Sequence, residues 1–143
     1  IVQGERTGAT PDGRQSGEEM SKNLSPTMGM DTEGVTALLN SLATIDVTDL
    51  PGDFPLDIML LPGTVAGDEG LAVLKAILKV YFNNYGCAVH FNIFDVTKYR
   101  DAQEHPEKYE NLQVRVCGWN VRWNDLPRVE QEKYIARAEG LSQ

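Results

Sequence analysis

The order of helical and strand-like patterns along the chain predicts an α/β fold. Apolar residues at helical spacing alternate with short β-forming runs, and this alternation is typical of strands joined by helical crossovers. The predicted helices span residues 32–43, 68–83 and 97–104, with a last helix opening at 125–127. The predicted strands span residues 56–61, 87–94, 112–116 and 119–123. With 143 residues, the chain is long enough for one modest core.

The internal helices are predicted from their apolar faces and their caps. The first helix presents Val35, Leu38, Leu39 and Leu42 on one side. Asp31 or Thr32 can accept a hydrogen bond from the free backbone amides at its start. The second helix is apolar over more than half of its circumference, which predicts that it is well buried. Thr97 is the expected cap of the third helix, which ends before Pro106.

The strands differ in how continuously apolar they are. Residues 56–61 form a largely apolar run, which predicts a short, largely buried strand. Residues 87–94 alternate, so that His90 and Asn92 share one face. Residues 8–30 form a long irregular segment that contains a Pro-Asp-Gly turn. A loop of this length in a compact domain is usually either functional or disordered.

Composition argues against several classes of function. The net charge is −8 and the isoelectric point is near 4.7, whereas nucleic-acid binding requires clustered lysine and arginine. No run approaches the roughly 18 apolar residues of a membrane span and no signal peptide is visible, so we expect a cytoplasmic protein. Cys87 and Cys117 do not form a metal-type pair, and the sequence has no Ser-His-Asp set, phosphate loop or zinc spacing.

Gly118 is the unusual residue of the sequence, because it separates two runs that each favour a strand. Glycine weakens a strand, since it loses the most backbone freedom on ordering and has no side chain to pack. Taken alone, Gly118 would indicate a β-bulge or a tight turn between the two runs. Its neighbours give it a second interpretation.

Several motifs in order resemble the glycyl radical enzymes related to pyruvate formate-lyase. The Arg-Val-Cys-Gly-Trp segment at 115–119 resembles the family's radical signature, Arg-Val-(Ser/Ala/Cys)-Gly-(Tyr/Trp). The Pro-Asp-Gly-Arg loop at 11–14 and the Phe-Asn-Ile-Phe-Asp strand at 91–95 resemble two further motifs, with His90 where the family usually has Gln. Segment 102–109 resembles the helix and turn before the radical loop, so the resemblance spans essentially the whole chain.

The resemblance implies the C-terminal part of a ten-stranded α/β barrel, with Gly118 on a strand-loop-strand hairpin that enters the barrel. It divides the chain into residues 1–95, the C-terminal part of the barrel domain, and residues 96–143, the glycyl radical domain. The chain opens with Ile rather than Met, and we expect a C-terminal piece of a longer protein. The family's thiyl-forming cysteine lies in a Gly-Cys-Val-Glu-like motif, which this sequence does not contain and which Cys87 does not match.

The resemblance also implies how the reaction starts. A radical on a backbone α-carbon is stabilised by the flanking amides when the centre is planar, and a Cβ would clash with those amides. In the family, an activating enzyme that uses S-adenosylmethionine and an iron–sulfur cluster removes a hydrogen atom from the glycine, and the radical then passes to the thiyl cysteine. The resemblance therefore makes Gly118 the catalytic residue, under anaerobic conditions, with no cofactor bound to the chain itself.

The residues beside Gly118 are expected to support the radical loop. They are Arg115, Val116, Cys117, Trp119 and Asn120. Cys117 is expected to be a small buried residue, and Arg115 a strand anchor that pairs with a carboxylate. Trp119 and Trp123 are expected to pack around the loop and to keep water and oxygen away from it.

Asp12, Arg14 and His90 are candidates for a substrate pocket. A turn with a surface ion pair is an equal alternative for Asp12 and Arg14. A structural hydrogen bond is the alternative for His90, because a lone histidine on a strand is more often structural than catalytic.

Two functions remain open. The first is the radical-bearing part of a lyase, dehydratase or acyltransferase that cleaves a C–C, C–O, C–N or C–S bond of a small molecule. It implies a radical-installing activating enzyme, an upstream chain that completes the barrel, and a homodimer at full length. The second is a separate, non-catalytic module that docks to a damaged enzyme core and repairs it. The Cys-Gly-Trp-Asn segment differs from the Ser-Gly-Tyr-Ala of pyruvate formate-lyase itself, so the substrate is not readable.

Overall fold

A computed structural model describes residues 2–27, 30–49, 52–116 and 118–141 of the chain. Within these residues the helices are α1 (Val2–Glu5), α2 (Gly34–Leu42), α3 (Gly67–Asn83), α4 (Val96–Glu104) and α5 (Arg128–Gly140). The strands are β1 (Leu56–Leu60), β2 (Val89–Ile93), β3 (Gln113–Val116) and β4 (Trp119–Arg122). Short 3₁₀ turns span Val47–Asp49, Pro62–Val65, Pro106–Lys108 and Trp123–Asp125.

The strands form two pairs of different kinds. β1 and β2 are parallel, with Leu56 opposite Val89, and α3 is the crossover that a parallel pair requires. β3 and β4 form an antiparallel hairpin in which Val116 lies opposite Trp119. The α/β class and the hairpin around Gly118 are therefore confirmed. The ten-stranded barrel is larger than the described residues and stays a prediction.

The alternation of β1 divides the core into two clusters. One cluster lies against α2 and α3, and its buried members are Leu39, Leu56, Ile58, Leu60, Ile77 and Tyr81. The other lies against α4 and α5, and its buried members are Met59, Phe94, Tyr99, Ala102, Val114, Trp123, Tyr134, Ile135 and Ala138. Because successive strand side chains face opposite ways, Asp57 lies on the same side of β1 as Met59. That side meets the hairpin.

α4 begins one residue earlier than predicted, and its cap is Asp95 rather than Thr97. The Asp95 carboxylate accepts a hydrogen bond from the backbone amide of Lys98 at 3.2 Å. Aspartate is as good a cap as threonine or better, and Asp95 stands where β2 has just ended. The predicted cap was wrong because the strand is shorter at its C-terminal end than the sequence pattern indicates.

α2 also begins without the predicted cap. It starts at Gly34, and the residue before it, Glu33, makes no side-chain capping bond. Asp31 instead accepts a hydrogen bond from Arg137 of α5, with 2.7 Å between Arg137 Nε and Asp31 Oδ2. A charged guanidinium binds a carboxylate more strongly than a neutral backbone amide does. The loss of the Asp31 cap therefore depends on Arg137, which lies 106 positions away in the sequence.

The predicted thorough burial of α3 is wrong for the residues described. Gly70, Ile77 and Tyr81 are its buried residues, whereas Leu71, Val73, Val80 and Phe82 are exposed. One face of the helix packs on the cluster around β1, and the described part of the chain supplies no cover for the other. Neither α3 nor any other helix in the described ranges is long and apolar enough to cross a membrane.

The expected division after residue 95 falls between β2 and α4. The rings of Phe94 and Tyr99 stack across it, with centroids 3.9 Å apart and planes 8° from parallel. Both rings belong to the buried cluster around α4 and α5, so side-chain packing is continuous across residue 95. The assignment of residues 1–95 and 96–143 to two domains stays a prediction.

Candidate functional site

Gly118 occupies the turn between β3 and β4 and is exposed. Its φ of +96° lies in the left-handed region, where a residue with a side chain is strained. A Cβ built on Gly118 would have one neighbour within 4 Å among the described residues, His90 Cε1 at 3.8 Å. The space around Gly118 would therefore admit a side chain. It is the backbone conformation that favours glycine at this position.

Arg115 holds the turn from within the hairpin. Its Nη2 donates a hydrogen bond to the Gly118 carbonyl oxygen at 2.7 Å, and its Nη1 approaches the Asn120 side-chain oxygen at 3.5 Å. The carboxylate partner expected for Arg115 is absent from the described part of the chain. A guanidinium has five donors in a planar fork, and here the fork binds its own turn rather than an acid. Arg115 is thus in contact with both the turn and Asn120, and their role as supports of a radical loop stays a prediction.

Asn92 joins the hairpin to the parallel pair. Its side-chain oxygen accepts a hydrogen bond from the Arg115 backbone amide at 2.9 Å, and its Nδ2 donates to the Arg115 carbonyl oxygen at 3.0 Å. Both backbone groups of Arg115 are therefore satisfied by one side chain, as they would be by a neighbouring strand. The role of Asn92 was missed at the sequence level. The available signal was an amide among the apolar residues of a strand.

His90 lies two residues before Asn92, on the same face of β2, and pairs with Asp57 in the opposite position of β1. His90 Nδ1 and Asp57 Oδ1 are 2.9 Å apart. Asn23 Nδ2 donates a hydrogen bond to Asp57 Oδ2 at 3.1 Å. Ser25 Oγ accepts from the Asp57 amide at 2.9 Å and donates to its carbonyl oxygen at 3.2 Å. Asp57 is buried, and its charge inside an apolar run was the signal that sequence reasoning passed over.

The two tryptophans have different surroundings. Trp123 is fully buried, and its backbone amide donates to the Leu112 carbonyl oxygen at 2.7 Å. Trp119 is 68% exposed within the described residues, and the expectation that it packs around the loop stays a prediction. β4 is paired on one side, and the described residues place little against Trp119. Val116 is half-buried against the aromatic cluster, and Cys117 lies outside the described residues.

The base of the hairpin is anchored by Tyr99. Its hydroxyl donates a hydrogen bond to the Gln113 carbonyl oxygen at 2.6 Å. Burial raises the pKa of Tyr99 to about 12, and the charge of Asp95 acts in the same direction. The hydroxyl therefore stays protonated, and remains a donor, throughout the physiological range. Its ring also meets the Trp123 ring edge-on, with centroids 4.6 Å apart.

Asp12 and Arg14 lie in the turn that the sequence predicts, and no ion pair joins them among the described residues. The Arg14 guanidinium donates to backbone carbonyl oxygens of its own loop, including Glu18 at 2.7 Å, and so folds the loop on itself. A hydrogen bond from Thr10 lowers the pKa of Asp12, and the charge of Arg14 adds to this. Asp12 and Arg14 line a surface depression with Lys133, whereas Asp57, Asn92 and Arg115 line a separate cleft. The structure does not bring Asp12 and Arg14 together with His90.

Ion pairs attach the irregular segment to α5. Lys133 Nζ lies 2.6 Å from Glu19 and 2.9 Å from Glu130. Burial acts to raise the pKa of Glu19, but the hydrogen bond and charge of Lys133 outweigh it, and the pKa is lowered. The same hydrogen bond, which Lys133 donates to Glu19, raises the pKa of Lys133. Among the described residues, no group of three or more His, Cys, Asp or Glu side chains could hold a metal ion.

Comparison with known proteins gives consistent matches along the chain. The family described as "Glycine radical" matches residues 20–124, on both sides of residue 95. Trans-4-hydroxy-L-proline dehydratase of Clostridioides difficile is 37% identical over 139 residues, which are 97% of this chain and 18% of that protein. Indoleacetate decarboxylase of Tractidigestivibacter scatoligenes is 39% identical over 137 residues, which are 95% of this chain and 16% of that protein.

Solved structures agree with these matches. The glycerol-bound B12-independent glycerol dehydratase from Clostridium butyricum superimposes with a TM-score of 0.82 at 37% identity, over 95% of this chain and 17% of that one. A glycyl radical enzyme from Archaeoglobus fulgidus superimposes with a TM-score of 0.78 at 42% identity, over 94% of this chain and 17% of that one. The chain thus spans less than a fifth of the length of these relatives.

Proposed function

Because this chain belongs to the glycine radical family, we propose that Gly118 is the residue whose α-carbon stores the radical. The observation that carries the proposal is the conformation of Gly118, with a φ of +96° at the exposed turn of a hairpin inside the matched segment. A residue at such a turn is accessible to a second protein, and the absence of a side chain allows the centre to become planar without a clash.

The contacts of the turn support this role. Removal of a hydrogen atom from Gly118 breaks one Cα–H bond and leaves a single electron, which spreads into the flanking amide and carbonyl. Arg115 donates to that carbonyl oxygen at 2.7 Å, so the oxygen is already held by a positive charge before the radical forms. Asn92 fixes the backbone of Arg115, and the donor is therefore in place without reorganisation.

We infer the rest of the cycle from the family. A separate activating enzyme, which uses S-adenosylmethionine and an iron–sulfur cluster, takes the hydrogen atom. In turnover, Gly118 regains a hydrogen atom from a cysteine thiol, which becomes the thiyl radical that attacks the substrate. That cysteine belongs to the remainder of the protein, since the sequence has no match to its motif. The chain's own part is to hold the α-carbon where the thiol can reach it.

At the level of the whole protein, we propose an anaerobic, cytoplasmic enzyme whose upstream chain completes the barrel and which forms a homodimer. It would cleave a C–C, C–O, C–N or C–S bond of a small molecule. A dehydratase and a decarboxylase are among the relatives, which supports C–O or C–C cleavage ahead of the other two. The alternative of a separate repair module gains no support from these relatives, which are all several times longer than this chain.

Electron paramagnetic resonance of the full-length protein, reacted anaerobically with a radical-installing activating enzyme, tests the proposal. We expect a doublet from one α-hydrogen, and its complete loss in Gly118→Ala. The matched control is Gly17→Ala, because Gly17 has a φ of +85° and open space around its α-carbon but lies outside the hairpin. A doublet that persists in Gly118→Ala, or that vanishes equally in both variants, would refute the assignment.

A further inference from the structure

We propose that His90, held by Asp57, is a positioning residue for Gly118 and keeps its α-carbon at the place seen in the structure. The inference rests on the proposed function of Gly118 and deepens it. His90 Cε1 lies 3.8 Å from the point that a Cβ of Gly118 would occupy. The imidazole therefore stands on the side of the α-carbon where an L-residue carries its side chain.

The imidazole is itself held firmly. Its Nδ1 is 2.9 Å from the Asp57 carboxylate, which accepts the Nδ1 hydrogen. The other oxygen of Asp57 accepts from Asn23, and Ser25 binds both backbone groups of Asp57. A chain of hydrogen bonds thus runs from the irregular segment through Asp57 of β1 to His90 of β2, and the His90 ring lies next to the turn. With Nδ1 committed to Asp57, the Cε1 edge of the ring keeps its direction toward Gly118.

Strand pairing alone does not account for this pair. β1 and β2 are already joined by a parallel ladder of backbone hydrogen bonds. The ladder extends beyond β2 at both ends: the Leu56 amide donates to the Ala88 carbonyl oxygen at 2.9 Å, and the Phe94 amide donates to the Leu60 carbonyl oxygen at 2.8 Å. A buried carboxylate is costly to desolvate, and an apolar pair of similar volume would stabilise the sheet as well or better. What an apolar pair would not supply is a ring of fixed orientation beneath the α-carbon of Gly118.

Two side chains then limit where Gly118 can lie. Arg115 binds its carbonyl oxygen, and His90 is the nearest described side chain on the side of the α-carbon where a Cβ would stand. Removal of the imidazole widens the space into which the turn can shift. Hydrogen-atom transfer depends steeply on distance, and a displacement of about 1 Å can cost up to about a hundredfold in rate. Loss of His90 is therefore expected to impair transfer while the radical can still form.

Hydrogen exchange of the full-length protein before activation tests the positioning directly. In His90→Ala, we expect the amides of residues 118–122 to exchange about tenfold faster than in the wild type, with those of α3 unchanged. His90→Gln should restore slow exchange, because its amide has similar reach and can donate to Asp57. His105→Ala is the matched control, since His105 is the other histidine and lies on the surface with ion-pair distances of 3.8 and 3.9 Å. Unchanged exchange at the turn, or equal acceleration in α3, would overturn the proposal.

Turnover per radical gives the second measurement. In His90→Ala, we expect a doublet of ordinary intensity and a kcat per spin that is about tenfold lower or more. His90→Gln should recover most of this loss, and a kcat per spin equal to that of the wild type in His90→Ala would overturn the role. If the wild type forms no doublet at Gly118, the proposed function fails, whereas the exchange experiment still decides whether His90 positions the turn.

Discussion

The two ends of the β3–β4 hairpin are held by different kinds of contact. The base, near Gln113 and Trp123, is packed among aromatic rings, whereas the turn at Gly118 is held by polar side chains. Hydrogen bonds at an exposed turn can be exchanged for bonds to water at a small net cost, but aromatic burial is lost only with the core. We therefore expect the turn to shift more easily than the base, which keeps the hairpin attached.

This division suits a residue that meets two partners. If Gly118 stores the radical as proposed, it must be accessible when an activating enzyme takes the hydrogen atom, and it must return to a defined place to receive one from a thiol. The aromatic base supplies the fixed point of that movement. In that proposal Arg115, Asn92 and His90 supply the defined place, because Arg115 and Asn92 hydrogen-bond to the hairpin and the His90 ring lies next to its turn.

The largest effect is expected at the base. Trp123→Ala removes a fully buried ring and should destabilise the domain by about 3–5 kcal/mol. Trp119→Ala, four residues away, should change the exchange of α5 far less, because Trp119 does not belong to the buried cluster that Trp123 shares with α5. Hydrogen exchange of the α5 amides in the full-length protein measures both. Equal losses in the two variants would show that the ends of the hairpin do not differ as described.

A second effect separates position from stability at the turn. Arg115→Met keeps an apolar stem of similar length but removes the donor to the Gly118 carbonyl oxygen. We expect kcat per spin to fall about tenfold or more, with little change in the exchange of α5. The control is Arg122→Met, since Arg122 pairs with Asp125 on the exposed side of the same hairpin. A loss of α5 protection that matches the loss of turnover would assign Arg115 a structural role.

The smallest effect concerns the attachment of the irregular segment to α5. Because the pKa of Glu19 is lowered in the folded state, its pair with Lys133 contributes stability above the unfolded-state pKa of about 4.3, and this contribution is lost as the pH falls through the folded-state value. We expect the protection of the amides of residues 14–22, taken relative to the intrinsic exchange rate at each pH, to fall in acid by an amount worth less than about 1 kcal/mol. In Glu19→Gln the acid-dependent part should vanish. An unchanged acid response in that variant would assign it to other carboxylates.

Local patterns in the sequence were sufficient for the hairpin and for the parallel pair. β3 and β4 were recognisable from alternation on either side of Gly118, and β1 and β2 from short apolar runs that end at turn signals. The importance of Gly118 followed from the segment at 115–119 together with the motifs at 11–14, 91–95 and 102–109. The strand patterns themselves are local. These features depend on backbone preferences that act over a few residues, and they were therefore accessible without a structure.

The contacts around the turn could not be derived in the same way. Asp57 and His90 are 33 positions apart, and they meet because the parallel register sets them opposite each other. Asn92 reaches the backbone of Arg115 across 23 positions. Helical periodicity indicated that α3 is apolar, but whether its outer face is covered depends on neighbours outside the described chain. Register and neighbours are tertiary properties, which single-strand patterns do not contain.

The central claim is that Gly118 stores the radical, and isotopic labelling tests it most directly. Full-length protein with ¹³C at the α-carbons of its glycines would be activated anaerobically beside unlabelled protein and labelled Gly118→Ala. We predict a doublet in the unlabelled protein, added splitting or broadening from the ¹³C nucleus in the labelled protein, and no signal in the variant. A spectrum that the ¹³C label does not change, or a ¹³C-broadened signal that remains in Gly118→Ala, would show that Gly118 does not store the radical.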